Sequence, residues 1–207
     1  MLERFRGFWT RLVSPIAHLL IRLGVSPDAV TLVGTLGVAT GALVFFPQGM
    51  LLTGVLVITA FVFSDLVDGY MARLTDRSSP FGAFLDSTLD RVGDGAIFGG
   101  LALYFAGPGD STLYLALSLV CLVMGSVTSY ARARAESLGY QAKGGIAERA
   151  DRLVAILVMT GLSAIFSLPF LLFLTLWVLA VASTITVVQR VLLVRRQALG
   201  GPAQPPS

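Results

Sequence analysis

The sequence predicts an all-α integral membrane protein of six transmembrane helices, preceded by an N-terminal amphipathic interfacial helix. Three observations predict it. Apolar residues make up 55% of the chain against 13% charged, and the mean hydropathy is +0.81, a membrane composition. Six apolar segments, near 27–46, 51–75, 81–106, 111–137, 150–167 and 169–194, each approach or exceed the roughly 20 residues that cross a hydrocarbon core. Short breaks rich in turn formers separate them, at Pro47-Gln48-Gly49, Arg77 to Pro80, Gly107-Pro108-Gly109-Asp110, Gly139 to Gly145 and Ser167-Leu168-Pro169.

Residues 2–23 read as the interfacial element. Leu2, Phe5, Phe8, Trp9 and Leu12 make an apolar face, and Arg4, Arg6 and Arg11 a basic one, suited to an anionic leaflet. A helix packed in water on the body is the competing reading. Pro15 divides the segment. It lacks the clean apolar core and small-residue cleavage site of a secretory signal. Ser26-Pro27-Asp28 starts the first membrane helix, with Ser26 as N-cap and Pro27 in the first turn. Gly34, Gly37 and Gly41 on the first segment, and Gly95 with Gly99 on the third, predict close helix packing. Residues 1–199 form one membrane domain, with 1–24 as its interfacial segment, and the Gly/Pro/Gln-rich 200–207 a disordered tail.

The fifteen Lys and Arg fall in the N-terminal segment, near the second and fourth breaks, or near the C-terminus, whereas the opposite ends carry only Asp110. The positive-inside rule then predicts a multi-pass protein of the cell membrane with both termini and the second break in the cytoplasm. The single Cys121 excludes an intrachain disulfide and a thiolate zinc site, and the single His18 argues against a Ser-His or Cys-His relay. Nothing in the composition points to nucleic acid.

The chemistry concentrates between Asp65 and Asp90. Asp65 and Asp68, three apart, share one helix face, and Gly82, Asp86 and Asp90, four apart, share another. Four unpaired carboxylates at membrane depth would cost roughly 2.5–3.5 kcal/mol each. A cation must offset that, and all-oxygen ligands suit Mg²⁺ or another hard ion, with room for two ions about 3.5–4 Å apart. The competing reading pairs these carboxylates with Arg73, Arg77 and Arg91, but ion pairing gives no reason for the glycines to fall where they do. A second cationic region holds Arg132, Arg134, Lys143, Arg149 and Arg152, with Arg190 at the same level. Guanidinium forks suit phosphate oxygens. Arg132 and Arg134, two apart on a helix, cannot share one direction, and Glu136 or Glu148 can pair with one of them.

The full pattern, Asp65-x2-Asp68-Gly69-x2-Ala72-Arg73-x8-Gly82-x3-Asp86-x3-Asp90, matches the signature of the CDP-alcohol phosphotransferases, membrane enzymes that this chain resembles from its first apolar segment to Arg190. The resemblance implies Mg²⁺, with two ions and Mn²⁺ as an alternative, held by Asp65 and Asp86 (both ions), Asp68 (one) and Asp90 (the other). It implies Asp90 as the base that takes the proton of the attacking hydroxyl. It places the nucleotide of CDP-diacylglycerol against Gly69, Arg73 and Ser79 and the helix start at Asp28, Ala29, Val30 and Thr31. Ser79 reads equally well as a plain N-cap, and Asp94 as a partner of Arg91. The run Ser129-Tyr-x-Arg-Ala-Arg-Ala-Glu136, then Gly144-Gly-Ile-x-Glu-Arg-x-x-Arg152, resembles the actinobacterial branch of the family that uses inositol 1-phosphate as acceptor. That branch implies a homodimer, with the acceptor phosphate held by Arg132, Arg134, Arg152 and Arg190, and Arg149 as a further candidate. Glycerol 3-phosphate is the rival acceptor, and a cation transporter the reading from another class.

Overall fold

The structure is a computed structural model that describes residues 14–74 and 79–200, and the side chains of Ser64, Asp65, Leu66, Ala72 and Arg73 lie outside the description. The apolar and basic faces expected over 2–12 therefore lie outside it, as do Asp76 and Arg77. Helix α1 covers the described residues 14–22. It is followed by α2 (Pro27–Thr40), α3 (Leu51–Val62), α4 (Ser64–Leu74), α5 (Pro80–Ala106), α6 (Thr112–Ser137), α7 (Arg149–Phe166) and α8 (Pro169–Gly200).

Local sequence explains these boundaries. Ser26 caps α2 by accepting the Ala29 N–H at 3.2 Å, with Pro27 in the first turn. The first apolar segment continues beyond α2 as a π-helical stretch, Gly41–Phe45, and a 3-10 turn, Phe46–Gln48, that ends at Gly49 with φ +76°. The wider turn lies where the neighbouring helix comes closest: a Cβ on Gly41 would meet Ile58 Cγ1 at 2.8 Å, and one on Gly54 would meet the Phe46 ring. The second segment is two helices rather than one, because α3 ends at Phe63 and α4 restarts at Ser64. The last helix runs to Gly200, past the expected end at 194, since Arg195, Arg196, Gln197, Ala198 and Leu199 are good helix formers.

The core lies where α2, α3, α5, α6, α7 and α8 meet around Phe46, Ile58, Ile97, Leu101, Ile156 and Leu176. Cys121 is fully buried and its thiol points at the Leu176 carbonyl, 3.5 Å away, so it packs α6 on α8. Tyr114 and Phe173 stack at 4.0 Å at the end of the bundle remote from the charged loops. Gly37 meets the Phe61 ring, as close packing requires. Gly95 and Gly99 pack on no described residue of this chain: a Cβ on either meets nothing within 4 Å. The tight position on α5 is Gly100, where a Cβ would come within 2.6 Å of the Ala42 carbonyl.

Among the described residues, four stretches are long and apolar enough to cross a membrane: Pro27–Gln48, Leu51–Met71, Thr112–Ser137 and Pro169–Gly200. The other two expected crossings, α5 and α7, fall short by that measure. Asp86, Asp90, Arg91 and Asp94 occupy the first half of α5, and Arg149, Asp151 and Arg152 the first turn of α7. Those charges build the site. Leu32, Leu36, Leu56, Val158, Val178 and Val181 point outward, an apolar exterior suited to lipid.

Candidate functional site

Ser79 caps α5 by accepting the Gly82 N–H at 2.9 Å. That fixes the start of α5 so that Gly82, Asp86, Asp90 and Asp94 follow one another along a face. A Cβ on Gly82 would lie 3.5 Å from Asp28 Oδ1 and 3.3 Å from Ser79 Oγ, so the starts of α2 and α5 meet there. Asp68, on α4, is buried at 7% exposure and accepts the Thr31 hydroxyl at 2.6 Å. Thr31, in turn, lines a cavity of about 180 Å³ together with Thr35, Leu89, Asp90, Gly93 and Arg149. One threonine thus ties the α4 carboxylate to the cavity that holds the α5 carboxylate.

Asp90 is paired. Arg149 Nη1 lies 2.8 Å from its Oδ1 and Arg91 Nη2 3.6 Å from its Oδ2. Asp94, nearly buried, is the hub behind it. It accepts from Arg149 Nε at 3.1 Å, with Arg91 and Arg152 each 3.8 Å from its other oxygen. The expected Arg91 partner role of Asp94 therefore holds, and it extends to two residues of α7. Asp86 is exposed. Among the described residues nothing lies within 4 Å of a Cβ added to Gly69. Ala29 and Val30 lie apart from the polar cavity, on an apolar groove of about 430 Å³ with Ile16, Leu20, Phe61 and Val67. The side chains of Asp65 and Arg73 lie outside the described residues.

Carboxylate oxygens are the donors a hard divalent ion takes, so the chemistry of the donor set fits the expected metal. Among the described residues no group of three His, Cys, Asp or Glu converges closely enough to hold one. Asp68, Asp86 and Asp90 are three of the four carboxylates of the motif, and Asp65 is the fourth.

The arginines divide into two kinds. Arg132 is half-exposed and pairs with Glu136 at 2.9 Å, and Arg134 reaches the Ser137 hydroxyl at 3.3 Å, so the two diverge as their spacing requires. Arg152 and Arg190 are buried, at 1% and 4% exposure. Arg152 Nη1 donates to the Ala147 carbonyl at 3.1 Å. Arg190 donates to the Gly144 carbonyl from Nε at 3.1 Å and to the Thr128 carbonyl from Nη1 at 2.6 Å. Both guanidiniums therefore brace the 138–148 loop against the helix bundle. Sequence reasoning did not single out the rest of that brace. The Thr186 hydroxyl accepts the Ala147 N–H at 3.1 Å, and Gly145, with φ +139°, leaves no room for a Cβ against Thr186. Gln197 exchanges two hydrogen bonds with the Gln141 backbone, at 2.6 and 2.9 Å. The Gly144-Gly145 pair was the one signal of it in the sequence.

The site is thus an acidic face on α5 with arginines of α7 behind it, set in a helical bundle. The chain belongs to the CDP-alcohol phosphatidyltransferase family, whose model matches residues 24–188. It is 55% identical over 204 residues to the phosphatidylinositol phosphate synthase of Streptomyces avermitilis, covering 95% of this chain and 84% of that one. It is 52% identical to the phosphatidylinositol phosphate synthase of Cutibacterium acnes, covering 95% and 98%. The crystal structure of Mycobacterium tuberculosis phosphatidylinositol phosphate synthase with CDP-DAG bound superposes with a TM-score of 0.85 at 43% identity, over 89% of this chain and 94% of that one. The same enzyme in complex with manganese and citrate gives a TM-score of 0.84 at 43% identity, over 88% of each chain. The chain is a CDP-diacylglycerol-dependent phosphatidyltransferase.

Proposed function

We propose that this chain transfers the phosphatidyl group of CDP-diacylglycerol to a hydroxyl of inositol 1-phosphate, giving phosphatidylinositol phosphate and CMP. The observation that supports the reading is Thr31, which holds the Asp68 carboxylate of one motif helix and lines the cavity that Asp90 of the other motif helix also lines. Asp65, Asp68, Asp86 and Asp90 would hold two divalent ions, Mg²⁺ by preference and Mn²⁺ as a substitute. Bound there, such ions supply neutralisation of the pyrophosphate and stabilisation of the departing CMP.

This chain's own residues do the rest. Gly69 leaves room for the nucleotide, which Asp28, Thr31, Arg73 and Ser79 border, while Ala29 and Val30 face the diacylglycerol portion of the substrate. Asp90 accepts the proton of the acceptor hydroxyl as the new oxygen–phosphorus bond forms and the bond to CMP breaks. Arg149, anchored on Asp94, positions Asp90 for that. Arg132 and Arg134 reach the acceptor phosphate from the exposed side, while Arg152 and Arg190 set the loop that walls its pocket. The site faces the cytoplasm of the cell membrane with six helices crossing, and the protein works as a homodimer.

The test is product analysis with purified protein, CDP-diacylglycerol and Mg²⁺, comparing inositol 1-phosphate, glycerol 3-phosphate and free inositol. Phosphatidylinositol phosphate with the first alone is the expected result. A phosphatidylglycerophosphate product would sink the acceptor assignment and keep the reaction class.

A further inference from the structure

We propose that the pocket between the 143–146 loop and the outer face of α8 binds the phosphate headgroup of an anionic phospholipid. The pocket has a volume of about 540 Å³ and carries the cations Lys143, Arg190 and Arg196 with no carboxylate in its wall. None of the three makes an ion pair with another described residue, whereas Arg91, Arg132, Arg149 and Arg152 all do. The three cations line one pocket, and an anion seated there would neutralise them together. Arg190 is held rigidly by the Gly144 and Thr128 carbonyls, so the inner wall is pre-set.

The surroundings select a lipid over a free phosphate. Ile146 and Leu192 rim the pocket at 59% and 44% exposure. From Leu192 an exposed apolar stripe, Val188, Ile185 and Val181, runs back along α8 at helical spacing. A phosphate seated on Lys143 and Arg196 at the end of a crossing helix leaves its acyl chains along that stripe, as basic residues beside a membrane span do with anionic lipids. The inference rests on α8 crossing a bilayer. Binding is read without turnover, so its failure and that of the proposed reaction are distinguishable.

Native mass spectrometry of the full chain in a neutral detergent, supplied with phosphatidylglycerol or phosphatidylcholine, tests it. Wild type should retain phosphatidylglycerol roughly tenfold over phosphatidylcholine. The double variant Lys143→Gln with Arg196→Gln should lose that preference and keep its KM for inositol 1-phosphate. Arg195→Gln, one residue away but outside the pocket, should keep the preference. Should the double variant fail to fold, the single Arg196→Gln at an exposed helix position carries the same test. Three results overturn the proposal: a double variant that holds phosphatidylglycerol as wild type does, an equal loss in Arg195→Gln, which means diffuse charge alone, or displacement of the lipid by inositol 1-phosphate.

Discussion

Thr31 and Asp68 are 37 residues apart and joined by a 2.6 Å hydrogen bond. The hydroxyl fixes one oxygen of a buried carboxylate. Removing the partner that orients a metal-binding carboxylate typically costs 10- to 100-fold in affinity or activity. Thr31→Val, close in shape, should therefore lower turnover roughly 10- to 100-fold and raise the Mg²⁺ concentration for half-maximal rate, while Thr31→Ser restores both. A Mg²⁺ titration of initial rates on the two variants checks this.

Arg149 clamps Asp90 and Asp94 together, at 2.8 and 3.1 Å. Arg149→Gln keeps a hydrogen-bond donor and removes the charge. We expect a fall in kcat of ten-fold or more with little change in KM for CDP-diacylglycerol, since Asp90 loses the group that positions it. An unchanged kcat would place Arg149 in charge balance alone. Steady-state kinetics with the acceptor saturating gives the answer.

The Arg190 guanidinium spans two backbone carbonyls, which a lysine ammonium on a single stem cannot do in the same fork geometry. In Arg190→Lys the 138–148 loop should exchange its amide hydrogens faster, with Ala147 as reporter. The KM for inositol 1-phosphate should rise several-fold. Hydrogen–deuterium exchange read beside the kinetics separates the brace from a simple loss of charge.

Packing is testable at two glycines of one helix. An added methyl on Gly100 would strike the Ala42 carbonyl at 2.6 Å, so Gly100→Ala should cost about 1–3 kcal/mol. Gly95→Ala meets open space and should be neutral or gain up to about 1 kcal/mol from helix propensity. Thermal unfolding in detergent should place the two variants on opposite sides of wild type, or Gly95→Ala level with it.

These glycines also show where the sequence was legible and where it was not. Spacing along one helix is a local property, so the shared face of Gly82, Asp86 and Asp90, and the caps Ser26 and Ser79, were readable from residue order. Which glycine of α5 touches a neighbour depends on how α2 crosses it, and the G-x-x-x-G pattern picked Gly95 and Gly99 where geometry uses Gly100. The break between α3 and α4 was hidden because Phe63-Ser64 carries no glycine or proline. The bond from Thr31 to Asp68 and the Gln141–Gln197 pair join distant positions, which no local pattern reveals. The arginines were readable as a group. Their division into buried braces and exposed arginines required knowing which carbonyls the loop presents.

The central claim is that the aspartates of α4 and α5 form the chemical centre, with Asp90 taking the proton. The most direct measurement is Mg²⁺-dependent CMP release by Asp90→Asn beside wild type, with CDP-diacylglycerol and inositol 1-phosphate saturating and the fold checked by thermal unfolding. The account predicts a folded variant whose rate falls by about two to four orders of magnitude, the contribution of a positioned base. A folded Asp90→Asn that releases CMP at the wild-type rate would contradict it.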